Sequence, residues 1–116
     1  MTSKAAGHGT GHFIAERLSA VVLLVLMPWF IVSAALSLDG TYDSARAWLS
    51  SPYTCIGVGV FLVISLYHMR LGVQVIAEDY LDNAGTRRLV LGVNTLITLL
   101  AAAVGVYALY QISFGV

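Results

Sequence analysis

A histidine and a pair of acidic and phenolic residues share one largely apolar stretch, residues 68–80, which reads HMRLGVQVIAEDY. A neutral imidazole is a common axial ligand of haem iron. A tyrosine hydroxyl next to a carboxylate can donate a hydrogen bond and take part in proton transfer. In a continuous helix, one face of this stretch would carry His68, Gly72, Val75 and Asp79. His68 and Asp79 would then lie roughly 16 Å apart along the axis, so a ligand-type residue and a polar end share one predicted face.

The composition is that of an integral membrane protein of one domain, residues 1–116. Of the 116 residues, 59% are hydrophobic and 10% are charged, whereas soluble domains average roughly 45–50% apolar and about 25% charged residues. The net charge is zero and the basic residues are scattered, which excludes the basic patch of a nucleic-acid-binding protein. The single cysteine, Cys55, excludes an intrachain disulfide and a cysteine-ligated iron–sulfur cluster within this chain. No Gly-rich phosphate loop opens a strand–helix unit.

Three apolar runs, at about residues 18–38, 55–76 and 89–114, predict three transmembrane helices and an all-α membrane protein. Each run is close to, or longer than, the roughly 20 residues that cross a bilayer. Pro28 should kink the first helix. The loop before the second run contains Trp48, which predicts a short helix at the membrane–water interface. Residues 1–16 are polar and Gly-rich, and we expect them to form a short, flexible cytoplasmic segment.

The distribution of basic residues predicts the orientation. On the side of the amino terminus lie Lys4, Arg17, Arg87 and Arg88. The opposite side carries Arg46 alone. The amino terminus is therefore predicted to be cytoplasmic and the carboxyl terminus periplasmic. Residues 1–16 lack the Arg-rich amphipathic pattern of a mitochondrial transit peptide, so we expect the protein in the inner membrane of a bacterium.

His68 and Arg70 lie within the second predicted span, where an ionisable group is costly unless it faces protein, a cavity or a ligand. One interpretation of His68 is a metal or haem ligand. The other is a packed polar side chain satisfied by a carbonyl or hydroxyl of a neighbouring helix, or by Ser65 one turn away. A bis-histidine site would need a second chain, because the spans contain no other histidine. Arg70 lies about 200° around the helix from His68, and we expect it to snorkel toward the headgroups or to pair with a partner.

Two further groups also have two interpretations each. Tyr80, with Asp79, could donate a hydrogen bond to a quinone carbonyl at the membrane boundary, or it could be an ordinary interfacial tyrosine at a helix end. Arg17 could pair with a haem propionate or a lipid phosphate, or it could act only as a positive-inside anchor. His8 and His12 lie in the segment expected to be flexible, so we leave them out of the candidate site.

The His68-x-x-x-Gly72 and Asp79-Tyr80 motifs, with an Arg17-x-Ser-Ala segment before the first span, resemble a known family. The sequence is similar to the small, D-type hydrophobic membrane anchor subunit of succinate dehydrogenase, respiratory complex II. The likeness covers nearly the whole chain in size, number of spans and position of the motifs. The Gly-Ile-Arg-His-Leu type of segment found in the larger C-type anchor is absent here.

The resemblance implies a role for each matching residue. His68 is one axial ligand of a haem b whose second histidine comes from the C-type cytochrome b anchor subunit. Tyr80 and Asp79 contribute to the ubiquinone pocket, and Arg17 lies near the haem propionates or the quinone. FAD and the iron–sulfur clusters belong to the flavoprotein and iron–sulfur partner subunits.

The implied function is a non-catalytic anchor subunit of succinate:quinone oxidoreductase, which holds the catalytic subunits at the membrane and forms part of the quinone-reduction site. One alternative is the anchor of a fumarate reductase, in which electrons run from quinol in the opposite direction. Another is a haem-free structural or small-transporter subunit in which His68 is only a packed polar residue.

Overall fold

A computed structural model describes the backbone of residues 3–114 and the side chains of residues 11–114. In the described part the chain forms four helices and no strand: α1 (Ser3–Ser37), α2 (Tyr42–Ser50), α3 (Pro52–Tyr80) and α4 (Ala84–Phe114). Three segments, Gly11–Ser37, Pro52–Tyr80 and Ala84–Phe114, are long and apolar enough to cross a membrane. The predicted all-α fold with three membrane-spanning helices is confirmed.

The first helix is longer than the sequence predicted. Helix α1 begins at Ser3, so the expectation of a flexible segment over residues 1–16 is wrong for the part from Ser3 onward. Hydropathy marks where a helix is apolar, and a helix can extend beyond that region. Residues 3–16 contain no proline, and the glycines at positions 7, 9 and 11 weaken a helix without ending it, so α1 can begin before the apolar run. The helix also continues through Pro28.

A capped turn connects α1 to the short helix α2. Gly40 adopts a positive φ of 89°, which glycine tolerates without a steric penalty. Thr41 is the N-cap, and its Oγ1 accepts a hydrogen bond from the Ser44 backbone N–H at 3.2 Å. The same hydroxyl donates to the Asp39 carboxylate and holds the pKa of Asp39 below its ordinary value. Trp48 lies in α2, as predicted, and its Nε1 donates to Ser33 Oγ at 2.8 Å.

Helix α3 is central, because it packs against both α1 and α4. Glycines make this packing close: the Trp29 ring of α1 occupies the space beside Gly57, and the Leu62 side chain of α3 occupies the space beside Gly105. Helices α1 and α3 run antiparallel, so Trp29 meets the beginning of α3 and Ser19 meets His68 further along.

Most of the apolar surface is exposed in the isolated chain. Among the described side chains, the buried ones are Ser19, Leu49, Leu71, Ala77 and Thr98. In the most apolar 18-residue part of each membrane-spanning segment, 6% of the residues are buried. Such surface is compatible with lipid or with a neighbouring membrane subunit, and not with water.

The contact between Trp29 and Gly57 should limit what α3 can carry at this position. A Cβ at residue 57 would lie 2.5 Å from the Trp29 ring, so Gly57→Ala must displace a large, rigid side chain. Overpacking typically costs about 1–3 kcal/mol, which outweighs the roughly 0.5–1 kcal/mol gained by replacing a helical glycine with alanine. Thermal unfolding of the detergent-solubilised protein should therefore begin at a lower temperature in Gly57→Ala.

The matched control is Gly92→Ala, because a Cβ at Gly92 meets nothing within 4 Å. This variant should be as stable as the unmodified protein or slightly more stable. Equal unfolding temperatures for Gly57→Ala and Gly92→Ala would show that the Trp29 contact does not restrict residue 57.

Candidate functional site

His68 lies on α3 and faces α1. Its Nδ1 is 2.7 Å from the hydroxyl oxygen of Ser19. Ser19 is only 5% exposed, and its hydroxyl is also 2.9 Å from the carbonyl oxygen of Glu16, one turn earlier in α1. The imidazole is therefore tied to a neighbouring helix through a buried hydroxyl.

The structure places a hydroxyl of a neighbouring helix, that of Ser19, at His68, and not the hydroxyl of Ser65 one turn away. This contact satisfies Nδ1, which agrees with the interpretation of a polar residue bonded to a hydroxyl. The other ring nitrogen, Nε2, is not part of this contact. Among the side chains that the structure describes, none hydrogen-bonds to Nε2 of His68.

The surroundings of His68 fit an axial ligand. Gly72 follows one turn later on the same face, and a Cβ at Gly72 would meet nothing within 4 Å. A flat group at Nε2 would therefore meet no side chain of residue 72. Within the described residues there is no group of three or more His, Cys, Asp or Glu side chains that could hold a metal ion. A haem needs no such group, because its macrocycle supplies four ligands and the protein supplies only axial ones.

Arg70 points away from His68, as the helical spacing predicted. Its Nε donates to Thr95 Oγ1 of α4 at 3.2 Å, and its backbone carbonyl accepts a hydrogen bond from the Asn94 amide at 3.1 Å. Its Nε is therefore bonded inside the bundle, and snorkelling of its terminal N–H groups toward the headgroups stays a prediction. A pairing of its remaining N–H groups with a partner chain stays a prediction.

His12 is a polar residue that the sequence analysis left out. Its Nε2 is buried and has no hydrogen-bond partner among the described residues. The side chain lines a cavity of about 490 Å³ together with Tyr67, Arg70 and Gln74 of α3. His12 precedes Ser19 by seven residues, two helical turns, so both lie on the α3-facing side of α1. The seven-residue spacing of His12 and Ser19 has this meaning only if residues 12–19 are helical, and we expected residues 1–16 to be flexible. The His8 side chain lies outside the described residues.

Arg17 is exposed and does not face His68. Its guanidinium carbon lies 5.2 Å from the centre of the Phe13 ring, a cation–π distance. Two residues along an α-helix correspond to a rotation of about 200°, so Arg17 and Ser19 occupy nearly opposite sides of α1. Because Ser19 contacts His68, Arg17 is nearly level with His68 along the bundle.

Tyr80 is the last residue of α3, and its side chain is 79% exposed. Asp79 next to it is also exposed. Helix α3 is continuous from His68 to Tyr80, as the opening spacing predicted. The twelve intervening steps correspond to about 18 Å, so the structure does not bring Tyr80 and His68 into contact. They are two separate candidate sites on one helix.

The opposite end of the bundle contains an apolar cavity of about 540 Å³ between α3 and α4. Ser113 of α4 connects the helices at this end of the fold, because its hydroxyl lies 2.9 Å from the Leu49 carbonyl and 3.0 Å from Cys55 Sγ. These contacts fasten α4 to α2 and α3.

Comparison with known proteins finds similar sequences in one family. The model of the succinate dehydrogenase/fumarate reductase transmembrane subunit family matches residues 2–109. The succinate dehydrogenase hydrophobic membrane anchor subunit of Paracoccus denitrificans is 27% identical over 110 residues, which cover 95% of this chain and 84% of that protein. The protein of the same description from Rickettsia conorii is 26% identical over 109 residues, 93% of this chain and 86% of the relative.

No solved structure matches this chain significantly. The family model extends from the beginning of α1 into the last turns of α4, so it includes all three membrane-spanning helices and both the His68 and the Tyr80 positions. The chain is a multi-pass membrane protein that belongs to the succinate dehydrogenase/fumarate reductase transmembrane subunit family.

Proposed function

We propose that this protein is the hydrophobic membrane anchor subunit of a succinate:quinone oxidoreductase, contributes one axial ligand to a haem b and forms part of the ubiquinone-reduction site. The observation that supports this most strongly is the family match over residues 2–109. It coincides with one half-buried histidine, His68, fixed inside the bundle of helices and one turn from an open glycine position.

Within this proposal the chain does not oxidise succinate. The flavoprotein and iron–sulfur partner subunits carry out that step and deliver electrons toward the membrane. The large exposed apolar surface of the three spans provides an area on which a C-type cytochrome b anchor and lipid can pack. The proposed orientation, with the amino terminus cytoplasmic and the carboxyl terminus periplasmic, rests on the excess of basic residues on one side.

His68 would hold the haem iron through Nε2, because Nδ1 already contacts Ser19. The second axial ligand would be a histidine of the C-type partner. A bound haem b would supply reversible one-electron chemistry between the two anchors. Arg17, which is nearly level with His68 but exposed on another side of α1, would pair with a haem propionate or lie near the quinone pocket.

Tyr80 would act at the quinone. Its hydroxyl can donate a hydrogen bond to a carbonyl oxygen, which favours the build-up of negative charge on that oxygen as electrons arrive. Asp79, the neighbouring exposed carboxylate, would take part in proton supply from the cytoplasmic side. The exposed position of both residues at the helix end gives a membrane-dissolved substrate access to them and gives water access from the same boundary.

The anchor of a fumarate reductase is a second candidate, because the family description includes both enzymes. The similar Paracoccus and Rickettsia proteins are described as succinate dehydrogenase subunits, which favours electron flow toward quinone. Steady-state rates of succinate oxidation and of fumarate reduction by the purified complex distinguish the two directions. A haem-free structural subunit is the remaining alternative, and the spectrum below tests it.

Replacing the proposed iron ligand should remove the haem. In His68→Ala the purified complex should lose the b-type bands of its reduced-minus-oxidised optical spectrum. The three membrane-spanning segments contain one other histidine, His12, which lies near the start of the first segment. His12→Ala is the matched control and should retain the bands. Unchanged b-type bands in His68→Ala would show that His68 is not the ligand.

Removing the proposed hydrogen-bond donor at the quinone should affect one half of the reaction. Tyr80→Phe should lower succinate:quinone reductase activity by about 100-fold, a typical contribution of a positioned proton donor. Succinate oxidation with a soluble dye acceptor should not change, since electrons then leave the complex before reaching the quinone.

Tyr110→Phe provides the control for Tyr80→Phe, because Tyr110 is an exposed tyrosine near the other end of the bundle. Its quinone reductase activity should equal that of the unmodified complex. Equal losses of quinone-linked and dye-linked activity in Tyr80→Phe would argue for a general assembly defect and against a quinone contact.

A further inference from the structure

We propose that Ser19 is a positioning residue for His68: its hydroxyl keeps the imidazole proton on Nδ1 and so presents the lone pair of Nε2 as the ligand atom. The role assigned to that lone pair rests on the proposed ligation of haem by His68. The tautomer itself does not, because it follows from two contacts within this chain.

The argument begins with the single proton of the Ser19 hydroxyl. Its oxygen lies 2.9 Å from the Glu16 carbonyl oxygen and 2.7 Å from Nδ1 of His68. A carbonyl oxygen can only accept a hydrogen bond. If the Ser19 proton is directed to Glu16, the Ser19 oxygen is left as an acceptor, and Nδ1 must carry the proton that it donates.

The opposite assignment satisfies fewer contacts. If Ser19 donates to an unprotonated Nδ1, the short contact between the Ser19 oxygen and the Glu16 carbonyl oxygen places two lone-pair regions together without a proton between them. Serine hydroxyls in helices commonly bond to a carbonyl three or four residues earlier. The Nδ1–H tautomer makes both contacts favourable, and it is therefore the tautomer that the geometry selects.

Burial makes this selection effective. Ser19 is 5% exposed, so bulk water does not compete for its hydroxyl. A hydrogen bond in such a low-dielectric position is stronger than its equivalent in water, and an unpaired group there is costly. Because Ser19 belongs to α1 and His68 to α3, the bond also fixes the orientation of the imidazole ring relative to both helices.

The consequence for a ligand is chemical as well as geometric. A histidine ligates iron through an unprotonated nitrogen, and the hydrogen bond made by its other nitrogen decides which one is free. When Nδ1–H donates to an acceptor, the ring becomes more electron-rich and Nε2 becomes a more basic ligand. A more basic axial ligand stabilises ferric relative to ferrous iron and lowers the midpoint potential.

Two variants and a control test the effect on bound haem in the purified complex. Ser19→Ala removes the acceptor, so the midpoint potential of haem b should shift to a more positive value and haem affinity should fall about 10-fold, as is typical when a partner of a ligating histidine is lost. Ser19→Thr keeps a hydroxyl and should restore both properties. Ser65→Ala removes the serine hydroxyl nearest to His68 along α3 and should behave like the unmodified complex.

A measurement without haem tests the tautomer directly. In the full chain labelled with ¹⁵N-histidine and solubilised in detergent at about pH 9, where histidine is neutral, the two nitrogens of His68 give distinct resonances, assigned by their loss in His68→Gln. We expect protonation at Nδ1. Free histidine prefers the proton on Nε2, and Ser19→Ala should return His68 toward that form.

Protonation of His68 at Nε2 in the unmodified chain would overturn the proposal, including when Ser19→Ala fails to assemble. An unchanged potential and unchanged haem affinity in Ser19→Ala would overturn the effect on the ligand. Failure of the proposed function looks different: the b-type bands would then survive in His68→Ala, while the tautomer measured without haem would still report on Ser19.

Discussion

Polar side chains within a membrane-spanning bundle must find partners inside the protein, because hydrocarbon offers none. The described structure meets this constraint at α3 by contacts in two directions. His68 contacts Ser19 of α1, while the Arg70 side chain and backbone contact Thr95 and Asn94 of α4. Two positions of the central helix, two residues apart, therefore fasten it to both neighbours, and the same requirement that holds the helices together also orients the candidate ligand.

Hydrophobic burial contributes differently here from the way it does in a soluble protein. Lipid tails are as apolar as the side chains they meet, so helix association depends on close packing and on hydrogen bonds. The Trp29 ring against Gly57 and the Leu62 side chain against Gly105 supply the close packing. The polar contacts around His68 and Arg70 lie toward the Tyr80 end of the bundle, whereas Ser113 fastens the other end. Each end of the three-helix fold is thus secured by its own contacts.

The sequence predicted the features that depend on composition and on period. The three spans follow from the thickness of the bilayer, the helix containing Trp48 from its aromatic loop, and the separation of His68 and Arg70 from helical geometry. Contacts between helices could not be predicted in the same way. A helical period identifies a face but not the residue opposite it. It therefore does not identify Ser19 as the partner of His68 or Thr95 as the partner of Arg70. His12 was missed because hydropathy does not show how far a helix continues past its apolar part. The roles of Arg17, His68, Asp79 and Tyr80 remain predictions.

The scarcity of buried side chains has a consequence for how such a chain changes over evolutionary time. Where a residue touches lipid, exchange among leucine, isoleucine and valine alters neither the solvent nor the fold, and few positions impose a particular shape. The restricted positions are those at Gly57 and Gly105 and those that form the bonds of α3. A protein built in this way can replace most of its residues and keep its architecture, which is a physical reason why a similar Paracoccus protein aligns over 95% of this chain at 27% identity.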